Sequence, residues 1–309
     1  MLNIFSSTIS LIANLPGLVA LGFLIGVLSG WFGIGGGFLM TPMLNAIFGI
    51  PYNIAVGSGL CQMVGTTIAA SLKHRSYGHI DYKLALFMLI GSMGGVESGA
   101  RLLVKLKNLG TITIHNHSLG IMYLWVTAIY IILLLSVGIF MFMESRKAKK
   151  GSDTAVVKTR ISRKIQKIVL APAISLPISG IESISVWSLI VLGFIIGISS
   201  GLLGVGGGFI MTPCLIYLFG VPTSVAIGTG LFQIIFTSGY GSFTHFFKGN
   251  VDFLLAASIL AGSLAGSQVG AMLCRKIKSS STRYYFSFVV FAAIAVIVLK
   301  FLYNLGYLE

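Results

Sequence analysis

Charged residues are scarce in this chain of 309 residues: only 9% of them are Asp, Glu, Lys or Arg, and only 7 are acidic. Because 56% of the residues are hydrophobic, the polar side chains are too few to cover a soluble globule. Apolar runs long enough to cross a hydrocarbon core separate the charges. The sequence therefore predicts an integral membrane protein.

Several patterns are missing, and each absence excludes a class of protein. No Gly-Lys-Ser/Thr follows the glycine-rich stretches, which excludes a P-loop and ATP-driven transport. The strand-period alternation of an outer-membrane barrel is absent, which leaves an all-α membrane bundle. No acid/base or nucleophile constellation recurs, so we predict no catalytic residues and no enzyme activity.

Cysteine is also rare. The 3 cysteines, Cys61, Cys214 and Cys274, lie in apolar surroundings without metal-type spacing. We expect free, buried thiols and no disulfide. His115 and His117 form an isolated His-x-His in a loop, which is a weak metal signal. The sequence predicts neither a metal site nor a cofactor.

Glycine, by contrast, is abundant, with 39 residues. The stretch GWFGIGGGFLMTP, from Gly30 to Pro42, returns as GLLGVGGGFIMTP from Gly201 to Pro213. Residues 22–102 align with residues 193–273 without a gap, and nearly half of the paired positions are identical. The chain therefore contains an internal duplication, and glycine at this density indicates a bend or a close approach to the backbone.

The duplication predicts about eight transmembrane segments in two homologous repeats of four. The segments are approximately 15–48, 54–72, 82–104 and 119–143, then 186–219, 225–246, 253–274 and 284–305. As one helix, each glycine-rich segment would be roughly 50 Å long, against a hydrocarbon core of roughly 30 Å. We therefore predict that the first helix of each repeat is broken at its glycines into two half-helices.

Basic residues suggest how the repeats are oriented. We divide the chain into a first repeat at 1–143, a basic cytoplasmic linker at 144–185 and a second repeat at 186–309. With the linker inside, inverted repeats place more Lys and Arg on the cytoplasmic side than parallel repeats do, so the positive-inside rule favours inversion. Of the 21 basic residues, 9 lie in this linker, between Arg146 and Lys167, so the net charge of +14 does not indicate nucleic acid.

The linker itself has two interpretations. Its apolar residues Val157, Ile161, Ile165 and Ile168 follow a helical spacing among basic residues. They predict either an amphipathic helix on anionic lipid, which makes membrane lipids a partner, or a solvated loop.

The glycine triplets are the strongest candidate site. Half-helices that begin at Gly35, Gly36 and Gly37, and at Gly206, Gly207 and Gly208, would present unpaired N–H groups and the positive ends of helix dipoles. Such ends favour a small anionic substrate, and transporters place them where two repeats meet. The alternative is close helix packing of the Gly-x-x-x-Gly kind.

Polar residues near the triplets extend the candidate substrate site. Thr41 and Thr212 bind either a ligand or the preceding turn of their own helix. The second helix of each repeat carries a polar stripe that faces the bundle interior, to bind either a ligand or a neighbouring helix. The stripes comprise Ser58, Gln62 and Thr66 in the first repeat and Thr229, Gln233 and Thr237 in the second.

Ionisable residues within the segments have ordinary structural interpretations. Glu97 and Arg101 have i, i+4 spacing and are predicted to pair, although Glu97 could carry a proton in a coupled cycle. His74 and His245 end the second helices, where we expect them to bond last-turn carbonyls. Asp81 and Asp252 are predicted to cap the N-termini of the third helices, one in each repeat.

The doubled motif resembles the sulfite exporter TauE/SafE family. The resemblance lies in GIGGGFLMTP with FGIP and VGSGL, and again in GVGGGFIMTP with FGVP and IGTGL. It implies a bacterial inner-membrane carrier or exporter of small anions, often sulfur-containing or carboxylated. We therefore expect a secondary transporter of a sulfur oxyanion, sulfonate or small organic acid, with a passive channel as the alternative.

Overall fold

A computed structural model describes residues 15–33, 35–114, 117–148, 162, 166, 170–277 and 279–305. In the first half the elements are α1 (Leu15–Phe32), α2 (Gly37–Phe48), α3 (Tyr52–Ser76), α4 (Tyr82–Lys107), β1 (Thr111–Ile114), β2 (His117–Gly120) and α5 (Ile121–Ala148). They continue as β3 (Ala173–Leu176), β4 (Ile181–Ser185), α6 (Val186–Leu203), α7 (Gly208–Tyr217), α8 (Thr223–Phe247), α9 (Phe253–Lys276) and α10 (Ser279–Asn304).

Six helices of the described chain are long and apolar enough to span a membrane. They are α1, α3, α6 and α9, together with residues 121–143 of α5 and 284–304 of α10. The all-α membrane protein expected from composition is therefore confirmed. The helices α4 and α8 are also long but are not among these six, although their counterparts in the other repeat, α9 and α3, are.

The glycine-rich segments are broken, as expected. α1 ends at Phe32 and α2 begins at Gly37, while α6 ends at Leu203 and α7 begins at Gly208. Between the helices the backbone enters the left-handed region at Gly36 (φ 77°) and Gly207 (φ 89°). Side chains with a Cβ atom are strained in this region, so glycine permits the break.

The helix after the first break turns back along α1. A Cβ atom added at Gly17, near the start of α1, would lie 3.4 Å from the ring of Phe48, the last residue of α2. The two ends of this segment are therefore neighbours, and α1 and α2 form a helical hairpin of unequal arms.

Rows of glycines join helices from the two halves of the chain. α1 lies against α9, and α4 lies against α6. A Cβ atom at Gly26 would lie only 2.5 Å from the carbonyl oxygen of Ser263. In ascending order the facing pairs are Gly22–Ile259, Gly26–Ser263 and Gly30–Ser267 for α1 with α9, and Gly91–Ile190, Gly95–Phe194 and Gly99–Ile198 for α4 with α6. Each pair of helices therefore runs parallel, at a separation that only small residues allow.

The remaining helices complete the bundle. α3 and α8 pack against each other, and each also contacts a glycine-rich partner: α9 for α3 and α4 for α8. α5 packs against α10. One large apolar core cluster links these helices and includes the stacked rings of Phe38 and Phe209. The first residues of α2 and α7 therefore lie at the centre of the molecule.

Two antiparallel hairpins depart from the sequence expectations. β1 pairs with β2, from Thr111 opposite Gly120 to Ile114 opposite His117, where we expected a loop, and β3 pairs with β4 across residues 173–185, at the end of the predicted linker. Short strands of this kind give no long hydrophobic period in the sequence. The predicted amphipathic helix at Val157, Ile161, Ile165 and Ile168 lies outside the described residues.

Candidate functional site

Two glycine loops meet at the centre of the bundle. We name Gly33 together with residues 35–37 glycine loop 1, and residues 204–208 glycine loop 2. A Cβ atom at Gly37 would overlap the carbonyl oxygen of Gly204 and would lie 3.0 Å from the carbonyl carbon of Val205. The triplets predicted from the sequence, at 35–37 and 206–208, are buried. The fold therefore brings the two loops into direct backbone contact.

Met63 and Ile234 fill the space beside both loops. A Cβ atom at Gly35 would lie 2.7 Å from the Met63 Cε and 2.9 Å from the Ile234 Cδ1. The same two side chains also lie against Gly206. These residues occupy equivalent positions in the two repeats, on α3 and α8, and their apolar character gave no functional signal in the sequence.

The helices that leave the loops begin face to face. The rings of Phe38 and Phe209 stack with centroids 5.1 Å apart and planes inclined by 1°. The N–H groups of Leu39 and Met40 bond the Gly36 carbonyl, and those of Ile210 and Met211 bond the Gly207 carbonyl. The backbone N–H groups before Leu39 and before Ile210 precede the first hydrogen bonds of α2 and α7. Two positive helix ends are thus directed into one buried region.

Gln62 lies in a compact hydrogen-bonded cluster. Its Oε1 accepts hydrogen bonds from Thr66 Oγ1 at 2.9 Å and from Ser263 Oγ at 3.2 Å. The two hydroxyls are themselves 2.6 Å apart. Because Ser263 belongs to α9, this cluster ties α3 to a helix of the other half.

The equivalent residues of the second repeat behave differently. Thr237 donates to the Gly206 carbonyl at 3.0 Å, and so contacts glycine loop 2 directly. Gln233 is 1% exposed, and its amide nitrogen and oxygen have no hydrogen-bond partner within the described ranges. An identical residue in the duplicated sequence therefore has a different environment in each half.

The two candidate threonines face the opposite glycine loops. Thr212 Oγ1 donates to the Gly33 carbonyl at 3.4 Å, which is a long bond. Thr41 Oγ1 would lie 3.0 Å from a Cβ atom at Gly204. Each short helix thus places its threonine beside the glycine loop of the other repeat, but only Thr212 makes a hydrogen bond to that loop among the described residues.

Ser58 and Thr229 lie at the outer ends of the polar stripes and have structural partners. The Ser58 hydroxyl accepts from the backbone N–H of Asp252 at 2.8 Å, and the Thr229 hydroxyl accepts from that of Asp81 at 2.9 Å. Each aspartate carboxylate in turn accepts from an N–H in the first turn of its helix, that of Leu84 or Leu255. The predicted N-caps are confirmed, and each is held by a helix from the other repeat.

Sequence reasoning missed several polar residues near the loops. Ser29 and Ser200 are identical in the two repeats, which was the only available signal, and both are fully buried. Their hydroxyls have no hydrogen-bond partner among the described residues. Tyr130 of α5 is fully buried as well and donates from its hydroxyl to the carbonyl of Leu203, beside glycine loop 2.

The structure corrects the prediction for the two histidines. Their Nε2 atoms bond carbonyls of another helix, not of their own last turn: His74 bonds Gly30 at 3.2 Å, and His245 bonds Gly201 at 3.0 Å. Both side chains are fully buried. The sequence could not indicate this role because the partner carbonyls belong to distant helix ends.

The predicted ion pair is confirmed. Arg101 Nε lies 2.7 Å from Glu97 Oε1, and Lys248 Nζ lies 3.7 Å from the same oxygen. The three cysteines are free, as expected, although they are half-buried instead of fully buried. Within the described ranges, no group of three or more His, Cys, Asp or Glu side chains is arranged to hold a metal ion.

The broken helices, the apolar spans and the buried meeting of two positive helix ends are features of a helical membrane transporter. Comparison with known proteins agrees: the chain belongs to the sulfite exporter TauE/SafE family, whose profile matches residues 18–297. Family membership makes this chain a membrane transporter and argues against an enzyme.

Distant relatives cover nearly the whole chain. It is 27% identical over 274 residues to the probable membrane transporter protein YunE of Bacillus subtilis, covering 85% of this chain and 90% of that protein. It is also 27% identical over 286 residues to the probable membrane transporter protein MJ0441 of Methanocaldococcus jannaschii, covering 88% and 91% respectively. A probable membrane transporter protein of Xylella fastidiosa is 26% identical over 279 residues. No solved structure matches the chain.

Proposed function

We propose that this protein is a secondary carrier for a small anion in the cytoplasmic membrane of a bacterium. The substrate class is a sulfur oxyanion, a sulfonate or a small organic acid. The carrier has eight membrane segments in two inverted repeats of four, and its substrate site lies where the two glycine loops meet, beside the polar stripes of α3 and α8.

The direct meeting of the two glycine loops is the observation that carries this proposal. Two helix N-termini converge in a region from which water is largely excluded, since the triplets are buried. Backbone donors and helix dipoles attract an anion most strongly where the local dielectric constant is low. Both termini begin broken helices at the contact between repeats, which is the usual location of a transporter site.

Helix directions support the inverted arrangement. α1 and α2 form a hairpin, and the His74–Gly30 bond places the end of α3 beside the end of α1. α4 then runs back, since it follows α3 after a tight connection. α6 is parallel to α4, so it runs opposite to α1, its counterpart in the first repeat. If the α1–α2 hairpin enters and leaves the membrane on the same side, the first repeat crosses the membrane three times, in α3, α4 and α5. An odd number of crossings gives the second repeat the opposite orientation.

Site-directed labelling tests this topology. Ser76 and Phe247 are exposed residues at the ends of α3 and α8, at equivalent positions in the repeats. In a background without Cys61, Cys214 and Cys274, we expect Ser76→Cys and Phe247→Cys to react with a membrane-impermeant maleimide from opposite sides. Permeabilised cells, in which both should react, are the control. Labelling of both from one side would contradict inversion.

Transport itself is tested in proteoliposomes. We expect saturable uptake of at least one anion from a panel of sulfite, thiosulfate, methanesulfonate and acetate, with stimulation by unlabelled anion on the opposite side. A passive channel, in contrast, would conduct without counterflow. Absence of saturable uptake for every anion of the panel would rule out the proposed carrier.

A further inference from the structure

The second repeat contains polar atoms that its own fold leaves unpaired. Gln233 is 1% exposed, and both polar atoms of its amide have no hydrogen-bond partner within the described part of the chain. Its counterpart Gln62 accepts two hydrogen bonds. An unpaired buried amide lowers the stability of the folded protein. We therefore expect the Gln233 amide to have a function that offsets this cost.

The facing helices explain the difference. Ser263 of α9 bonds both Gln62 and the Leu260 carbonyl of its own helix, each at 3.2 Å, whereas its counterpart Ser92 of α4 bonds the Leu89 carbonyl of its own helix at 3.1 Å and does not bond Gln233. Thr66 bonds the Gln62 amide, but its counterpart Thr237 bonds the Gly206 carbonyl. Neither counterpart of the two side chains that complete the Gln62 cluster bonds the Gln233 amide.

A second unpaired group lies at glycine loop 2. Ser238 is fully buried, and its Oγ has no hydrogen-bond partner among the described residues. This oxygen would lie 3.2 Å from a Cβ atom at Gly206, so the hydroxyl faces the loop. In the first repeat its counterpart Thr67 donates to the Met63 carbonyl at 2.7 Å and is satisfied.

We propose that the anion binds asymmetrically, at glycine loop 2, with Gln233 and Ser238 as its side-chain donors. The inference rests on the proposed carrier function. An amide NH₂, a hydroxyl and the N–H groups at the start of α7 together suit a ligand with several acceptor oxygens, which is an oxyanion and not a halide. Gln62 is instead structural and holds α3 against α9.

Matched variants of the full chain separate the two glutamines. Gln233→Met and Gln62→Met each replace the amide by an unbranched apolar group of similar size. Without ligand, we expect the thermal midpoint of Gln233→Met to equal or exceed that of wild type, and that of Gln62→Met to fall. In proteoliposomes, Gln233→Met should raise the KM for the transported oxyanion by at least about tenfold, and Gln62→Met by less than about threefold.

Ser238→Ala and its counterpart Thr67→Val give a second comparison. Ser238→Ala should raise the KM by about threefold to tenfold without lowering the thermal midpoint, while Thr67→Val should leave the KM unchanged. The same sulfite, thiosulfate, methanesulfonate and acetate panel serves as probe, with chloride as the non-oxyanion control. Saturable chloride uptake equal to that of the oxyanion would contradict the ligand class.

The outcomes distinguish this inference from the function on which it rests. If wild type transports an oxyanion but Gln233→Met keeps the wild-type KM, the asymmetric site is wrong and the carrier stands. A thermal midpoint that falls as far in Gln233→Met as in Gln62→Met also overturns the inference, because Gln233 would then be structural. If wild type transports no anion of the panel, both proposals fail together.

Discussion

Gly95→Ala is expected to lower the free energy of unfolding by at least about 3 kcal/mol, the upper end of the usual cost of overpacking. Gly95 lies in the contact between α4 and α6, where an added Cβ atom would overlap the carbonyl oxygen of Phe194 and lie 2.8 Å from the backbone nitrogen of Ile198. These are backbone atoms of a continuous helix, so a side-chain rotation cannot relieve the overlap. The two helices must separate, which weakens the packing along the whole glycine row.

The neighbouring residue supplies the control for this prediction. A Cβ atom at Gly94 would meet only the ring of Phe194, at an ordinary distance of 3.8 Å. We expect Gly94→Ala to keep the wild-type thermal midpoint or to raise it slightly, because alanine favours helix over glycine by up to about 1 kcal/mol. Thermal unfolding of both variants in detergent, followed by size-exclusion chromatography, measures the difference. Equal midpoints would contradict backbone contact between α4 and α6.

Gly37→Ala is expected to reduce the rate of anion transport by about tenfold to a hundredfold, since overpacking costs about 1–3 kcal/mol and each 1.4 kcal/mol is tenfold. The added Cβ atom would overlap both the Gly204 carbonyl oxygen and the Met63 sulfur. It would therefore push the two glycine loops apart and displace the helix starts that we propose as the anion site. Alanine suits the first helical position of α2, so the helix itself should persist.

A glycine on the next helix tests whether this effect is specific. Gly59 of α3 lies beside Thr41, and a Cβ atom there would be 3.7 Å from the Thr41 hydroxyl, in ordinary contact. Gly59→Ala should transport at nearly the wild-type rate. Uptake is measured in proteoliposomes at equal protein content, with the fraction of folded carrier determined by size exclusion. Normal uptake by Gly37→Ala would show that close contact between the loops is not needed for transport.

Much of the local structure was determined by sequence. The glycine clusters predicted the helix breaks, because at residues such as Gly36 and Gly207 only glycine accepts the left-handed backbone that ends one helix and begins the next. Asp81 and Asp252 predicted the starts of α4 and α9, because a carboxylate before an apolar run caps the first turn. Both features depend on interactions within a few residues, and such interactions are encoded by neighbouring positions.

The pairing of helices between the two halves was decided by the tertiary structure. Close Gly-x-x-x-Gly packing was the alternative for the glycine triplets alone, and no local pattern specified that α1 lies against α9 or α4 against α6. The roles of His74 and His245 depended on the same pairing, since their partner carbonyls belong to α1 and α6. Contacts across such sequence separations depend on how the complete bundle fills space.

The candidate site shows the same division between sequence and structure. Sequence alone determined that a membrane protein with two related halves carries a buried glutamine and a glycine break in each half. Only the tertiary structure distinguished Gln62, which Ser263 and Thr66 bind, from Gln233, which remains unpaired among the described residues. The physical reason is that hydrogen bonding depends on the residues that face a side chain in space, and two identical sequence positions face different helices.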